Sequence, residues 1–425
     1  MDSIRSIWIV LQTDAVLFCH EGPQDGIAGE YIMPLSRFQR VLGRARQLGW
    51  ACTLVCNRNG LPDEYARECG AEVVDIIVPA GSRLPPDDRT TVVYESDRFE
   101  HLGEEQGSKA ILRVYPADLD RISNMMQLLA TWFDHVLIRH PEMLSYGKQE
   151  FDLYGEQLRD FCQWLLKQPD IWARVRIPNL MGGFQGSTYS GCGAGVSSVA
   201  VVPSGDMFVC PAAAVRGDES CGHIDASLTL RNRQLFKREW SVTCQECEAL
   251  QCERCVDINK RGTLEYCVPP ANACVLAHVE LDAQAWLAQE ANCSGLWNDA
   301  WKKPSRPTIH DPYQTVKANG SIGGTEVWRC LMSFDEDPTM LTGAAMLHIM
   351  HVLQGHCEAV WACCEAGVVP HEAFESTDML RSLRQYVLER YRGCPLGIEG
   401  MSFRDIERSI CYAADGRSRL NVGTA

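Results

Sequence analysis

A chain of 425 residues is long enough for two or three domains, each burying its own core, so its stability need not rest on cross-links. A formal net charge of -15 without any basic run excludes a general affinity for nucleic acid or anionic membrane, which rests on clustered Lys and Arg. The N-terminus, Met1-Asp2-Ser3-Ile4-Arg5, has no charged-then-apolar export segment, so a cytoplasmic location is expected, where thiols persist and C-x2-C pairs bind metal.

From residue 1 to about 188, short apolar runs alternate with amphipathic helices. Ile7 to Leu11 reads as a strand, and Ser36 to Leu48 as a helix with Phe38, Val41, Leu42 and Ala45 on one side. Ala51 to Val55 is a second strand; Gly60-Leu61-Pro62 opens a helix through Ala66, which Gly70 ends. Strands are predicted at Val73 to Val78, Thr91 to Tyr94, Ala110 to Val114, His135 to Ile138 and Val175 to Ile177, with helices over Pro116 to Trp132 and Glu156 to Leu166. This alternation implies a mostly parallel sheet with outer helices, as a partial barrel or as an open doubly wound sheet.

Residues 189 to 285 are rich in turn signals and cysteine. Val199 to Val202, the turn Pro203-Ser204-Gly205-Asp206, and Met207 to Val209 read as a β-hairpin that ends at Cys210. From 286 to 425 a helical extension is expected, with a linker at Pro304 to Pro312. Its most apolar part, Leu341 to Val369, is interrupted by His348, His351 and His356 and reads as buried helices, not as a membrane span.

Nine of the 21 cysteines fall between Cys192 and Cys274: Cys192, Cys210, Cys221, Cys244, Cys247, Cys252, Cys255, Cys267 and Cys274. A C-x2-C turn lets two thiolates converge on one centre, which suits zinc and iron-sulfur sites alike. Zinc ribbons separate their two pairs by about 15 to 20 residues, whereas only four stand between Cys247 and Cys252. Four thiolates so close in sequence are more easily shared between two centres than closed on one tetrahedral ion, and nine local cysteines suffice for two four-cysteine clusters.

The order Cys192-x12-Gly205-x4-Cys210, then C-x2-C-x4-C-x2-C, then a further Cys resembles the SPASM domain, with four and two residues where that form has five and three. Closer still, Gly191-Cys192-Gly193-Ala194-Gly195-Val196, Gly222-His223-Ile224, Gln251-Cys252-Glu253-Arg254-Cys255-Val256-Asp257-Ile258-Asn259-Lys260, Thr263-Leu264-Glu265, Cys274 and His278-Val279-Glu280 are similar to the CXXX repeat peptide maturase family. The similarity is specific from 190 to 282 and loose before 188.

This resemblance implies an α/β fold: a degenerate partial (β/α) barrel of radical S-adenosylmethionine (SAM) type over 1-188, a SPASM-like iron-sulfur module over 189-285, and the helical C-terminal extension. It implies two 4Fe-4S clusters. One would take Cys192, Cys210 and Cys255 with Cys221 the nearest fourth ligand, the other Cys244, Cys247, Cys252 and Cys274, with Cys267 the competitor. The implied function is that of an accessory maturase in RiPP biosynthesis, binding a cysteine-rich precursor peptide and a partner radical SAM enzyme. A zinc- or cluster-stapled binding module is the alternative, and a self-sufficient redox enzyme the second.

S-adenosylmethionine cleavage needs a CxxxCxxC loop that leaves one iron open. The nearest match, Cys52-x3-Cys56-x2-Asn59, has Asn at the third position and lies on an apolar strand whose even spacing points both thiols to one face, as core residues do. S-adenosylmethionine is therefore not expected as a cofactor, and catalytic residues are not assigned. Cys19-His20 reads as a lone pair of core or surface residues, Gly182 to Gly186 as a linker, and His278 and Glu280 as capping or surface residues, with a substrate contact as their alternative.

Overall fold

The computed structural model describes residues 4–20, 27, 31–82, 88–99, 108–181, 192–218, 220–226, 228–230, 236–237, 244, 247, 249, 251–263, 266 and 269–296. Cys267, the Gly182 to Gly186 run, the Pro304 to Pro312 linker and the expected C-terminal helices with their histidines lie outside the described residues. The chain divides into two compact units. One comprises Met1–Leu230, Glu248–Asp257 and Ala271–Pro307, and the other Arg231–Cys247, Ile258–Pro270 and Thr308–Ala425.

The first unit is built on a nine-stranded sheet: β1 (Ser6–Val10), β2 (Ala51–Val55), β3 (Val73–Pro79), β4 (Thr90–Glu95), β5 (Lys109–Arg113), β6 (His135–Arg139), β7 (Ser198–Val201), β8 (Asp206–Phe208) and β9 (Gly222–His223). Their order is β6-β5-β4-β3-β2-β1-β7-β8-β9. All pairs from β6 to β7 are parallel, and β7-β8 and β8-β9 are antiparallel. The hairpin of the cysteine-rich segment thus continues the sheet begun by the first strand.

The helices are α1 (Leu35–Leu48), α2 (Asp63–Ala66), α3 (Ile122–Trp132), α4 (Lys148–Leu165), α5 (Pro169–Arg174), α6 (Pro178–Met181), α7 (Pro211–Val215), α8 (Val256–Thr263) and α9 (Ala271–Cys293). The apolar stripe Phe38, Val41, Leu42 and Ala45 of α1 is buried in one core with Ile7, Ile9, Leu54, Val199 and Val201, the outward face of the central strands. Cys52 and Cys56 are fully buried in that core, as their strand spacing predicts. Tyr94 of β4 meets Phe133, just beyond α3, edge-on at 5.8 Å.

Three elements differ from expectation. The stretch from Pro116 opens as a 3-10 turn, Pro116–Arg121, before α3 begins. The strand expected at Val175 to Ile177 is reduced to one bridge between His135 and Arg176, because α5 precedes it and Pro178 starts α6. The long helix α9 was unforeseen. Its buried stripe, Leu276, Ala277, Glu280, Ala283, Gln284, Leu287 and Ala291, has helical spacing but carries two polar residues.

Candidate metal centre

One face of the sheet encloses a cavity of about 310 Å³. Trp8 of β1, Asp75 and Ile77 of β3, Thr91 of β4, Lys109 and Ile111 of β5, and His135 and Leu137 of β6 all line it. Those strands would span about 24 Å in a flat sheet at 4.8 Å per strand, far more than one such cavity could touch. The sheet is therefore curled round the cavity as part of a barrel. Its inner wall is partly polar: Thr91 donates a hydrogen bond to Asp75 at 2.8 Å, and Lys109 pairs with the same carboxylate at 3.4 Å. Burial pushes the Asp75 carboxyl up, and Lys109 and Thr91 oppose that rise.

Four cysteines distant in sequence line this same cavity: Cys19, Cys192, Cys210 and Cys255. Cys192 precedes β7, where Ser198 Oγ donates to its carbonyl at 2.8 Å and Gly193, at φ 74°, makes a turn with no room for a side chain against Ser197. Cys210 lies two residues past β8 and caps α7; the Ala213 N–H donates to its Sγ at 3.4 Å. Cys255 closes the Cys252-Glu253-Arg254-Cys255 turn just before α8, in which Arg254 has a φ of 46°. A non-glycine residue in that left-handed region is uncommon and costs about 1 kcal/mol. Cys19 lies in the loop between β1 and α1.

By surface area Cys192 is exposed, while protein packed round its thiol makes burial the main force pushing it up, to about 12, with the Cys19 and Glu253 charges adding. Burial likewise raises the Cys210 thiol strongly, with Asp257, Cys192 and Cys19 adding to it. Arg139, at the end of β6 and only 8% exposed, is a second cation of the cavity wall besides Lys109. Its Nη2 pairs with Glu253 at 2.7 Å, and its Nε has no acceptor among the described residues. Burial alone would lower this guanidinium, but Glu253 and the thiols of Cys19 and Cys255 together raise it.

The other sequence candidates stand elsewhere. Cys221 packs on the outward core beneath α1, and its thiol donates to the Met207 carbonyl at 3.2 Å, so the structure does not bring it to the cavity of Cys192. Cys244 and Cys247 belong to the second unit, where the Cys247 N–H donates to the Cys244 carbonyl at 3.4 Å. Cys252, whose N–H donates to the Ala249 carbonyl at 3.2 Å, and Cys274, on the first turn of α9, belong to the first. Glu280, read from the sequence as a capping or surface residue or a substrate contact, is buried: Asn179 Nδ2 and the Tyr154 hydroxyl donate to its Oε1 at 2.6 and 3.0 Å. His278, two positions earlier on α9, is exposed.

Among the described residues, no three His, Cys, Asp or Glu side chains close on a single metal-ion point. The four cavity cysteines instead line a space much larger than one ion needs, with a buried cation beside it. That donor set fits a multinuclear group held by thiolates and carrying negative charge. Cys19 was missed in the sequence because neither its spacing nor its neighbours mark it as a ligand; only the fold brings it to Cys192, Cys210 and Cys255.

No family model matches the chain, and no curated protein matches it. Among solved structures, it is similar to SuiB of Streptococcus suis bound to S-adenosylmethionine, at 12% identity and a TM-score of 0.40 over 64% of this chain and 77% of that one. It is also similar to SuiB bound to the precursor peptide SuiA, at 13% identity and a TM-score of 0.41 over 64% and 76% of the two chains. Both likenesses are distant.

Proposed function

We propose that the chain is an iron-sulfur protein that assists the maturation of a ribosomally made, cysteine-rich peptide, working beside a partner enzyme that supplies the radical chemistry. The observation that carries the iron-sulfur part is the convergence of Cys192, Cys210 and Cys255, up to 63 positions apart, on one cavity of a curled parallel sheet, with Arg139 in its wall. The peptide part rests on the resemblance of residues 190 to 282 to the maturase family.

In this reading Cys192, Cys210 and Cys255 hold one 4Fe-4S cluster. Cys244, Cys247, Cys252 and Cys274 hold the second, with Cys267 the competitor for its last position. Bound clusters of this kind exchange single electrons at potentials tuned by charge and hydrogen bonding. The chain's own residues set those terms at the first centre: Arg139 supplies a fixed positive charge, and Glu253 holds its guanidinium in place.

The test is anaerobic purification of the full chain with metal and sulfide analysis. About eight irons per chain and a brown colour are expected for two 4Fe-4S clusters; a colourless chain loaded with zinc would overturn the cluster reading. Incubated alone with S-adenosylmethionine and reductant, the protein is expected to yield no deoxyadenosine. Titration with a cysteine-repeat precursor peptide should show saturable binding, and its absence, with and without the partner enzyme, would remove the maturase part.

A further inference from the structure

We infer that Cys19 is the fourth protein ligand of the cluster held by Cys192, Cys210 and Cys255, so that the loop after β1 is built into that centre. This rests on the cluster reading above and names a residue which sequence reasoning had set aside as core or surface.

Three observations lead to it. The first is position: Cys19 lines the cavity that the other three thiols line, whereas Cys221 packs beneath α1 on the outward side with its thiol on the Met207 carbonyl.

The second is that the loop is held in place from two strands. Arg113 of β5, 2% exposed and paired with Glu95 at 2.6 Å, donates from Nε to the Cys19 carbonyl at 3.2 Å. The His140 N–H, one residue past β6, donates to His20 Nδ1 at 3.2 Å. Two buried anchors on adjacent residues fix the backbone that carries the thiol.

The third is charge. Arg139 is more than nine-tenths buried, lines the cavity, and keeps an Nε hydrogen without an acceptor among the described residues. A buried donor left unpaired is costly, and Cys19 and Cys255 line the same cavity as this guanidinium. A cluster ligated by four thiolates carries net negative charge, and the guanidinium stands where that charge would fall. Four protein thiolates also leave no iron open to substrate, so the centre would serve electron transfer or hold the fold, and peptide chemistry would proceed elsewhere.

The experiment compares wild type, Cys19→Ser, Cys192→Ser and Cys221→Ser as full chains, reconstituted anaerobically with iron and sulfide. Iron is counted, and oxidised samples are read by electron paramagnetic resonance. Cys19→Ser and Cys192→Ser are expected to lose between one and four of about eight irons, with a three-iron signal wherever the damaged cluster survives. Cys221→Ser is expected to match wild type.

Unchanged iron without a three-iron signal in Cys19→Ser, or loss of iron in Cys221→Ser, would overturn the assignment while leaving the cluster reading intact. A wild-type chain that takes up no cluster would instead overturn that reading, and the assignment with it. A second measurement needs no variant: in the loaded wild-type chain, alkylation read by mass spectrometry should spare Cys19 together with Cys192, Cys210 and Cys255. All four should label after a chelator strips the iron. Equal labelling of Cys19 before and after stripping would overturn the proposal.

Discussion

Glu280 is a carboxyl in a dry place, and that gives the protein a pH dependence with a definite sign. Burial raises it from the usual range to about 7, while hydrogen bonds from Asn179 and Tyr154 hold it down in part; Glu253 adds to the rise and Arg139 opposes it. The folded chain thus binds this proton more tightly than the unfolded chain, so stability is largest below the ordinary Glu range and falls as pH rises through about 7. The loss is on the order of 3 kcal/mol. Glu280→Gln keeps an acceptor for Asn179 and removes the charge, so denaturation midpoints measured between about pH 5 and 8 should flatten relative to wild type; an unchanged slope would assign the pH dependence to other groups. The burial of Glu280 was not legible in the sequence, because a lone Glu on an unrecognised helix carries no mark of it. Cys192, Cys210 and Cys255 could be grouped from spacing and resemblance alone. Cys19 could not, since its partners lie more than 170 positions away and only the curl of the sheet shows which loop reaches them.

The β7-β8 hairpin delivers Cys210 to the cavity, and its turn depends on one glycine. Gly205 sits at φ 93°, its N–H donating to the Val202 carbonyl at 2.8 Å. A Cβ there would lie 2.5 Å from His223 Nε2 and 3.1 Å from Arg37 Nε. Arg37 is itself committed to the Pro203 carbonyl at 2.6 Å, so the neighbours cannot simply withdraw. Gly205→Ala should therefore cost about 2 kcal/mol from backbone strain and crowding together. It should lower the melting temperature by several degrees and reduce iron at the Cys210 centre. Gly217→Ala is the control: its φ is 72°, but nothing stands within 4 Å of the added carbon, so it should cost less and leave iron unchanged. Turns and strands of this kind were readable from Pro203-Ser204-Gly205-Asp206 and from the short apolar runs, whose side-chain alternation has a period of two. Helix α9 was not, because Glu280 and Gln284 interrupt the stripe that packs against α4, and a stripe with charge in it reads as surface.

The division expected at residue 188 has a consequence for how the molecule can be taken apart. β1 lies between β2 and β7, with Ser6 to Ile9 paired to Ser198 to Val201. A chain ending at 188 would leave that edge of β1 unpaired, and its apolar residues would lose their neighbours. Val199, Val201, Met207 and Ile224 all pack in the core beneath α1, each almost fully buried. At about 1.5–3 kcal/mol for each buried side chain of this size, their removal withdraws about 6–12 kcal/mol. A folded domain is stable by only about 5–15 kcal/mol in all. Residues 271 to 293 would go as well, uncovering α4, where Gly155 allows α9 to approach closely enough that an added Cβ would meet Val279 at 3.3 Å. The 1-188 piece is therefore expected to be insoluble or to melt without a cooperative transition, whereas the full chain unfolds cooperatively. Circular dichroism melts with size-exclusion chromatography decide the matter. A soluble, monomeric 1-188 piece with a sharp transition would mean that β7 to β9 dock on a barrel already complete, and that the cysteine cavity forms between two independently folding parts.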